Sequence, residues 1–269
     1  MTRPAFAGKY VRVNGLRLHY QEWGDAGAPG IVLVHGWSTS APVWHEIAEA
    51  LSVDHHVIVP DNRGNGESEV PTAGYSISDF ADDTRRLIAA AGLIRPCLVG
   101  SSWGGNIGTF MAAEHPQDIS AAVLADPVYW KMTDAFQTVV PAIIARLERP
   151  EEELRRGALS QGASRQAAER EIYIARHFSA HVLSRVATEN RDWALACERH
   201  LAQIALPTLV LVADPQAGGY IAQEELKHLR SVASPRVEFR LWRGVGHLMH
   251  RLAPERFIRE VRAFCLAHQ

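Results

Sequence analysis

Residues 97–105 read Cys97-Leu98-Val99-Gly100-Ser101-Ser102-Trp103-Gly104-Gly105, and they are the most informative part of the sequence about the fold. Its apolar start, Cys97–Val99, predicts a buried strand, and a helical pattern begins at Trp103. The five residues Gly100–Gly104 match G-x-S-x-G, a pattern that requires this strand–turn–helix context. Only small residues fit beside such a tight turn, so Ser102 is held exposed and strained next to a helix N-terminus. Ser102 is therefore the candidate nucleophile, because Ser101 lacks the two flanking glycines.

The rest of the chain alternates between short apolar runs and helical patterns. The first two strands alternate polar and apolar residues and are joined by Asn14-Gly15, a hairpin signal. The later strands are mostly continuous apolar runs, typical of strands covered on both faces. The pattern predicts an α/β fold with an eight-stranded, mostly parallel sheet and helices on both faces. The predicted strands are Tyr10–Val13, Leu16–Trp23, Ile31–His35, His56–Pro60, Cys97–Val99, Ala121–Ala125, Thr208–Ala213 and Val237–Trp242. The helices predicted between and after them are Ser76–Ala91, Trp103–Glu114, Ala222–Arg230 and Ala253–His268.

One long stretch interrupts this alternation. Residues 127–206 show helical patterning and no convincing strand. We expect a helical lid inserted over the end of the sheet, with part of it serving as an outer helix of the core. The core domain is then formed by residues 1–126 and 207–269.

Composition narrows the class of protein. The chain has 269 residues, 47% of them hydrophobic, and a formal net charge of -2, so a nucleic-acid partner is not expected. No apolar run approaches the roughly 20 residues of a membrane span, and the first residues lack a signal-peptide core, so we expect a cytoplasmic protein without a membrane partner. The three cysteines form no CxxC pair, which suggests neither a disulfide framework nor a zinc site. Both a monomer and a homodimer remain open.

A second motif lies at the end of the strand Ile31–His35. It reads His35-Gly36-Trp37-Ser38. In a sheet of this kind the loop after that strand donates one backbone N–H to an oxyanion, and the residue after the nucleophile donates the other. Trp37 and Trp103 are thus the predicted oxyanion-hole residues, while His35 is expected to order the loop.

At this point the chain resembles the α/β-hydrolase superfamily. The run Asp61-Asn62-Arg63-Gly64-Asn65-Gly66-Glu67-Ser68 is similar to the family's D-x-R-G-x-G-x-S loop, and Gly246-His247 stands near the C-terminus as the family's histidine does. The resemblance covers almost the whole chain apart from the lid sequence. It implies a catalytic triad, and we expect Asp61 and Arg63 to fix loop geometry.

The predicted base is His247. It follows the last strand in a Gly-x-Gly-His loop, and an imidazole with a pKa near the working pH can take the serine proton and return it to the leaving group. His250, one turn further on, is the rival.

Two aspartates compete for the role of triad acid. The resemblance implies an acid after the seventh strand, but there Ala213 stands where the family's glycine would be, Gln216 stands at the acid's position, and Asp214 comes two residues early. Asp126 follows the sixth strand directly, an arrangement similar to that of haloalkane dehalogenases and fungal-type zearalenone lactonases. We favour Asp126 and keep Asp214 as the alternative.

The resemblance and these residues predict a serine hydrolase that cleaves a carboxylic ester or lactone. A serine at the elbow disfavours the haloalkane dehalogenase and epoxide hydrolase chemistries, which need a carboxylate nucleophile. Alternatives on the same triad are carbon–carbon bond hydrolysis, amide hydrolysis and perhydrolysis, and a ligand receptor without turnover is a rival of another class. Neither a dinucleotide fingerprint nor a metal-ligand motif occurs, so no cofactor or metal is expected.

The substrate is expected between the strand ends and the lid. Aromatic side chains predicted to line that space are Trp37, Tyr129, Trp130 and Trp193. No Lys/Arg pair stands out as a carboxylate clamp, although Arg63 and Lys131 are candidates. The preferred partner is an uncharged small molecule, an apolar or aromatic ester or lactone.

Overall fold

A computed structural model of the protein describes residues 8–129, 132–160 and 163–269. Its eight strands form one sheet in the order β1-β2-β4-β3-β5-β6-β7-β8. The strands are β1 (Lys9–Val13), β2 (Leu16–Trp23), β3 (Gly30–Val34), β4 (His56–Pro60), β5 (Cys97–Ser101), β6 (Ala121–Ala125), β7 (Thr208–Ala213) and β8 (Val237–Trp242). Only the pairs β1–β2 and β2–β4 are antiparallel, so the predicted mostly parallel sheet is confirmed.

Helices cover both faces of this sheet. They are α1 (His45–Leu51), α2 (Ile77–Ala90), α3 (Trp103–Glu114), α4 (Met132–Leu147), α5 (Glu151–Ser160), α6 (Arg165–Arg176), α7 (Ala180–Glu189), α8 (Trp193–Gln203), α9 (Gln223–Val232), α10 (Met249–Leu252) and α11 (Pro254–Leu266). Helix α1, preceded by a 3-10 turn at Ala41–Trp44, had no counterpart in the predicted elements. Helix α2 begins with a full capping box between Ser76 and Asp79.

Two apolar cores follow from the alternation of side chains along the buried strands. Val32, Val34 and Leu98 point to one face, which α2, α3, α8 and α9 cover. Ile31 and Leu33 point to the other, which α1 and α11 cover. Every residue of β4, β5, β6 and β7 is buried, as expected for strands packed on both faces.

Strand register determines where the candidate site lies. Ser101 is opposite Ala125 across β5 and β6, and Ala125 is opposite Leu211 across β6 and β7. The residues that follow these strand ends, Ser102 and Asp126 among them, therefore emerge side by side at the carboxyl edge of the sheet. Ligands of open α/β sheets bind at this edge.

The described part of the long insertion between β6 and β7 consists mainly of the helices α4 to α8. Helix α8 packs against α3 through Trp193 and Phe110, whereas α4 contributes Val139 and Ile143 to a cavity above the sheet edge. Within the described residues, no helix is long and apolar enough to span a membrane.

Candidate active site

The turn at Ser102 is strained in the way that the G-x-S-x-G pattern predicts. Ser102 has φ 56° and ψ −119°, a conformation that L-residues rarely adopt, and its N–H donates to the Ala125 carbonyl at 2.9 Å. A Cβ on Gly100 would lie 2.1 Å from the Gly104 carbonyl oxygen, and one on Gly104 would lie 2.1 Å from that of Val34. Both glycines are therefore required by close backbone packing around the serine.

The loop after β3 lies directly against this serine. A Cβ on Gly36 would lie 3.2 Å from Ser102 Cβ and 3.7 Å from its Oγ. The next residue, Trp37, stacks on Trp103 with ring centroids 5.8 Å apart. The two predicted oxyanion-hole residues thus flank the serine from the loop after β3 and from the first turn of α3.

His35 fixes the orientation of the Gly36–Trp37 peptide. Its Nε2 accepts from the Asn62 backbone N–H at 2.9 Å, so its proton sits on Nδ1, which donates to the Gly36 carbonyl at 2.6 Å. The peptide is trans, and in a trans peptide the N–H points opposite to the C=O. The Trp37 N–H is therefore directed away from His35. Complete burial lowers the pKa of His35, which keeps this neutral tautomer in place.

His247 is paired with Asp126. Its Nδ1 donates to Asp126 Oδ2 at 2.7 Å, which leaves Nε2 unprotonated in the neutral imidazole and able to accept a proton. The Asp126 carboxylate is fully buried and also accepts the Ala213 N–H at 3.1 Å and the Tyr220 N–H at 3.0 Å. These backbone donors hold the carboxylate, and Tyr220 packs its ring edge-on against His247 at 4.2 Å. The arrangement orients one imidazole tautomer.

Asp214 makes different contacts. Its carboxylate accepts the Gln216 N–H at 3.0 Å and the Gly244 N–H at 2.7 Å, and these bonds lower its pKa. It caps the turn at Pro215–Ala217 and ties down the loop that leads to His247, rather than bonding to the imidazole. The structure thus brings Asp126 and not Asp214 to His247.

Ser102 and His247 line one cavity of about 340 Å³. Its wall is mostly apolar and aromatic and includes Trp37, Trp44, Val128 and Leu248. A cavity of this size, with a few polar groups converging on it, is typical of a small-molecule site.

Two predicted substrate contacts are wrong. Tyr129 is fully buried, and its hydroxyl is hydrogen-bonded to Thr109 Oγ at 2.9 Å. Trp193 is buried where α8 packs on α3. Neither residue lines the Ser102 cavity, because both side chains pack into the hydrophobic core. Of the other two, Trp37 does line it and Trp130 lies outside the described residues.

Of the two candidates for a carboxylate clamp, Arg63 has another partner and Lys131 cannot be placed at the cavity. Arg63 is buried in a double contact with Asp83, at 2.6 and 2.7 Å, and Lys131 lies outside the described residues. Arg146 and Arg251 line the cavity instead, together with His250. Sequence reasoning missed the two arginines because they belong to separate helices, and no local motif marks them. Among the described residues, no group of three or more His, Cys, Asp or Glu is arranged to hold a metal ion.

Comparison with known proteins shows the family to which this chain belongs. A model of the alpha/beta hydrolase fold matches residues 29–250, so the chain belongs to the α/β-hydrolase family. It is 34% identical over 134 residues to a soluble epoxide hydrolase of Corynebacterium sp. strain C12, and 31% identical over 123 residues to a non-heme chloroperoxidase of Streptomyces lividans. The matches cover 49% and 45% of this chain, and 46% and 45% of those proteins, so the chain spans about half the length of the curated relatives it matches.

Solved structures match over nearly the whole chain. One described as Est816, an N-acyl homoserine lactone degrading enzyme, is 25% identical with a TM-score of 0.76, and the match covers 95% of this chain and 100% of that one. The enol-lactonase from Burkholderia xenovorans LB400 is 21% identical with a TM-score of 0.74 over 95% and 99% of the two chains, which supports the fold alone.

Proposed function

We propose that this chain is a serine hydrolase that cleaves a carboxylic ester or lactone through an acyl-enzyme. The observation that carries the proposal is the convergence on one cavity of the strained Ser102 and of His247, whose Nδ1 is bonded to the buried Asp126. A serine–histidine–carboxylate set with this geometry is a general solution for acyl transfer.

In the proposed reaction His247 Nε2 takes the Ser102 hydroxyl proton as Oγ attacks the acyl carbon. The Trp37 and Trp103 N–H groups stabilise the oxyanion, and the imidazolium returns the proton to the alcohol oxygen as the acyl C–O bond breaks. A water then loses a proton to His247 and attacks the acyl-enzyme. The acid is released, and the proton returns to Ser102.

Asp126 is proposed to hold the imidazole tautomer and to stabilise the imidazolium. The Ala213 and Tyr220 N–H groups hold its carboxylate in place. Asp214 has a positioning role at most, through the loop that contains Gly244.

We also propose that residues 127–206 act as a lid, with α8 as an outer helix of the core. Val139 and Ile143 of α4 form part of the cavity wall, which supports a role of this segment in enclosing substrate. Similarity to a lactone-degrading enzyme over 95% of the chain favours an ester or lactone over an amide or a carbon–carbon bond.

The test is turnover of a panel of aryl esters and lactones by wild type and by Ser102→Ala. We expect wild type to hydrolyse members with small apolar acyl groups and the variant to lose this turnover. Activity that persists in the variant would overturn the serine mechanism. Binding of the esters without turnover by wild type would instead support the receptor alternative.

A second fate of the acyl-enzyme has one supporting observation, the similarity to a non-heme chloroperoxidase. Hydrogen peroxide in place of water would release a peracid from Ser102. Halide oxidation by wild type that requires peroxide and is lost in Ser102→Ala would support this second function. Absence of halide oxidation in wild type would exclude it.

A further inference from the structure

The charged side chains at the Ser102 cavity have one sign. Among the described residues that line it, the two that carry a permanent charge are Arg146, on α4, and Arg251, on α10. Arg251 lies four residues after His247, so a positive charge stands close to the proposed base. The remainder of the wall is largely apolar, which makes these guanidinium groups the principal electrostatic feature of the cavity.

The Glu171 carboxylate forms an ion pair with both arginines. Arg251 Nη1 is 2.6 Å from Glu171 Oε1, and Arg146 Nη1 is 3.6 Å from Glu171 Oε2. The 3.6 Å contact is longer than a hydrogen bond, so Arg146 is only loosely matched. Two cations against one anion leave a net positive charge at this end of the cavity, with guanidinium donors to spare.

The same arginines form the boundary with a second, larger cavity. This space of about 780 Å³ lies between α5, α6 and the body of the protein, and it shares Val43, Arg146, Leu248, His250 and Arg251 with the Ser102 cavity. Arg149 and Arg170 also line it, with Glu46, Glu153 and Glu171. Arg170 is matched by Glu46. The lining of this second cavity thus holds four arginines and three glutamates, so it too has a positive excess of one charge.

His250 at this boundary stays uncharged. It is 5% exposed and packs against Trp44 in a tilted arrangement with ring centroids 4.5 Å apart. Within the described structure neither of its ring nitrogens has a hydrogen-bond partner. Burial and the nearby charges of Arg251 and His247 lower its pKa to about 3. It therefore offers a neutral donor and acceptor between the two cavities rather than a further positive charge.

We propose that the ester or lactone cleaved at Ser102 carries a carboxylate remote from the scissile carbonyl, and that Arg146 and Arg251 bind this carboxylate. This inference rests on the proposed function. It deepens it, because the sequence alone favours an uncharged substrate. The apolar portion of the substrate fills the Ser102 cavity. Its carboxylate binds the guanidinium donors that Arg146 leaves unused in its long contact with Glu171. Paired guanidinium donors suit a planar carboxylate.

The test uses matched probe pairs that differ only in charge. On the acyl side the pair is 4-nitrophenyl hexanoate and the mono-4-nitrophenyl ester of adipic acid. On the leaving-group side it is methyl 4-acetoxybenzoate and 4-acetoxybenzoate. We expect wild type to have a KM at least roughly tenfold lower for the charged member of one pair, because charge-assisted hydrogen bonds are the strong ones. Salt should weaken that preference.

Three variants separate recognition from structure. Arg146→Met and Arg251→Met should each raise KM for the charged probe about tenfold and leave kcat and KM for the neutral probe within about threefold. Glu171→Gln should act in the opposite direction and lower KM for the charged probe, since it removes the competing carboxylate. The control is Arg155→Met, which removes a partly buried arginine on α5 that is paired with Glu152 and Glu169. It should change the kinetics of neither probe.

Binding to Ser102→Ala, measured by calorimetry, keeps this inference distinct from the proposed function. Carboxylate-dependent binding that Arg251→Met abolishes would support the arginine site even if wild type turned over no ester. Turnover without any charge preference in either pair would overturn the site and leave the hydrolase proposal intact. Equal losses on both probes in the arginine and Glu171 variants would show that these residues only tie helices together, and would also overturn it.

Discussion

The two aspartates near His247 have separate tasks because their carboxylates face different donors. Asp126 is buried and bonded to His247 Nδ1 at 2.7 Å, whereas Asp214 is bonded to backbone N–H groups of its own turn and of Gly244. Register explains the difference, since Asp126 follows β6 beside the end of β5 that carries Ser102. A separation along the sequence cannot reveal which carboxylate reaches the imidazole.

Exchanging each carboxylate for an amide tests this assignment. Asp126→Asn should lower kcat by about 10³- to 10⁴-fold, because the amide no longer selects the required tautomer. Asp214→Asn should keep kcat within about tenfold, since it affects only the loop. Steady-state kinetics on one activated ester gives both values. A larger loss in Asp214→Asn than in Asp126→Asn would contradict the assignment.

His250 makes the stability of the fold depend on pH. Its pKa is lowered to about 3 by burial, below the ordinary value of 6.5 that applies when the chain is unfolded. The unfolded chain therefore binds the proton more readily, so this contribution to stability is complete above pH 6.5 and is lost as the pH falls.

Between pH 7 and pH 5 this single group should cost wild type about 2 kcal/mol of unfolding free energy. His250→Phe, which preserves an aromatic ring against Trp44, should lose that part of the pH dependence. His228→Gln, at a half-exposed position, is the control. Urea denaturation at the two pH values measures the effect, and an unchanged pH dependence in His250→Phe would refute it.

The elements around Ser102 approach each other through their backbones rather than their side chains. Helix α3 approaches β3 and β5 so closely that Gly100 and Gly104 have no space for a Cβ. This contact explains why the glycine pattern in the sequence predicted the elbow well: the requirement is local and steric. The turn at Ser102 is therefore fixed by backbone packing, independently of the role proposed for the serine.

Adding one methyl group at this contact should be costly. Gly104→Ala would place Cβ 2.1 Å from the Val34 carbonyl oxygen, and we expect a loss of about 3 kcal/mol or more in unfolding free energy. Gly157→Ala, within α5 with open space around it, should instead stabilise the protein by about 0.5 to 1 kcal/mol. Thermal unfolding followed by circular dichroism compares the two. A neutral Gly104→Ala would show that the elbow tolerates movement.

At the scale of the whole molecule, sequence reasoning succeeded where the signal is short-range. Apolar runs and the Asn14-Gly15 hairpin depend on neighbours in the chain, and all eight strands of the sheet were predicted within two residues of their ends. It failed where distant elements meet. Trp193 is an aromatic side chain of the insertion that seals the core instead of the cavity, since both environments bury an aromatic ring equally well.

The arginines at the cavity were not predicted for the same reason. Arg146 and Arg251 come together with Glu171 only after α4, α6 and α10 have packed. Each looks like an ordinary charge on a helix face when the sequence is considered alone. The preference for an uncharged substrate followed from the absence of a visible pair, and it changes once the three helices are placed.

Ser102 is proposed to be a nucleophile that His247 activates. The most direct measurement is mass spectrometry of the intact chain after exposure to a fluorophosphonate, followed by peptide mapping. We predict one adduct per chain, located on Ser102, absent from Ser102→Ala and formed far more slowly in His247→Ala. An adduct on another residue, or none on a folded wild-type chain, would contradict the account.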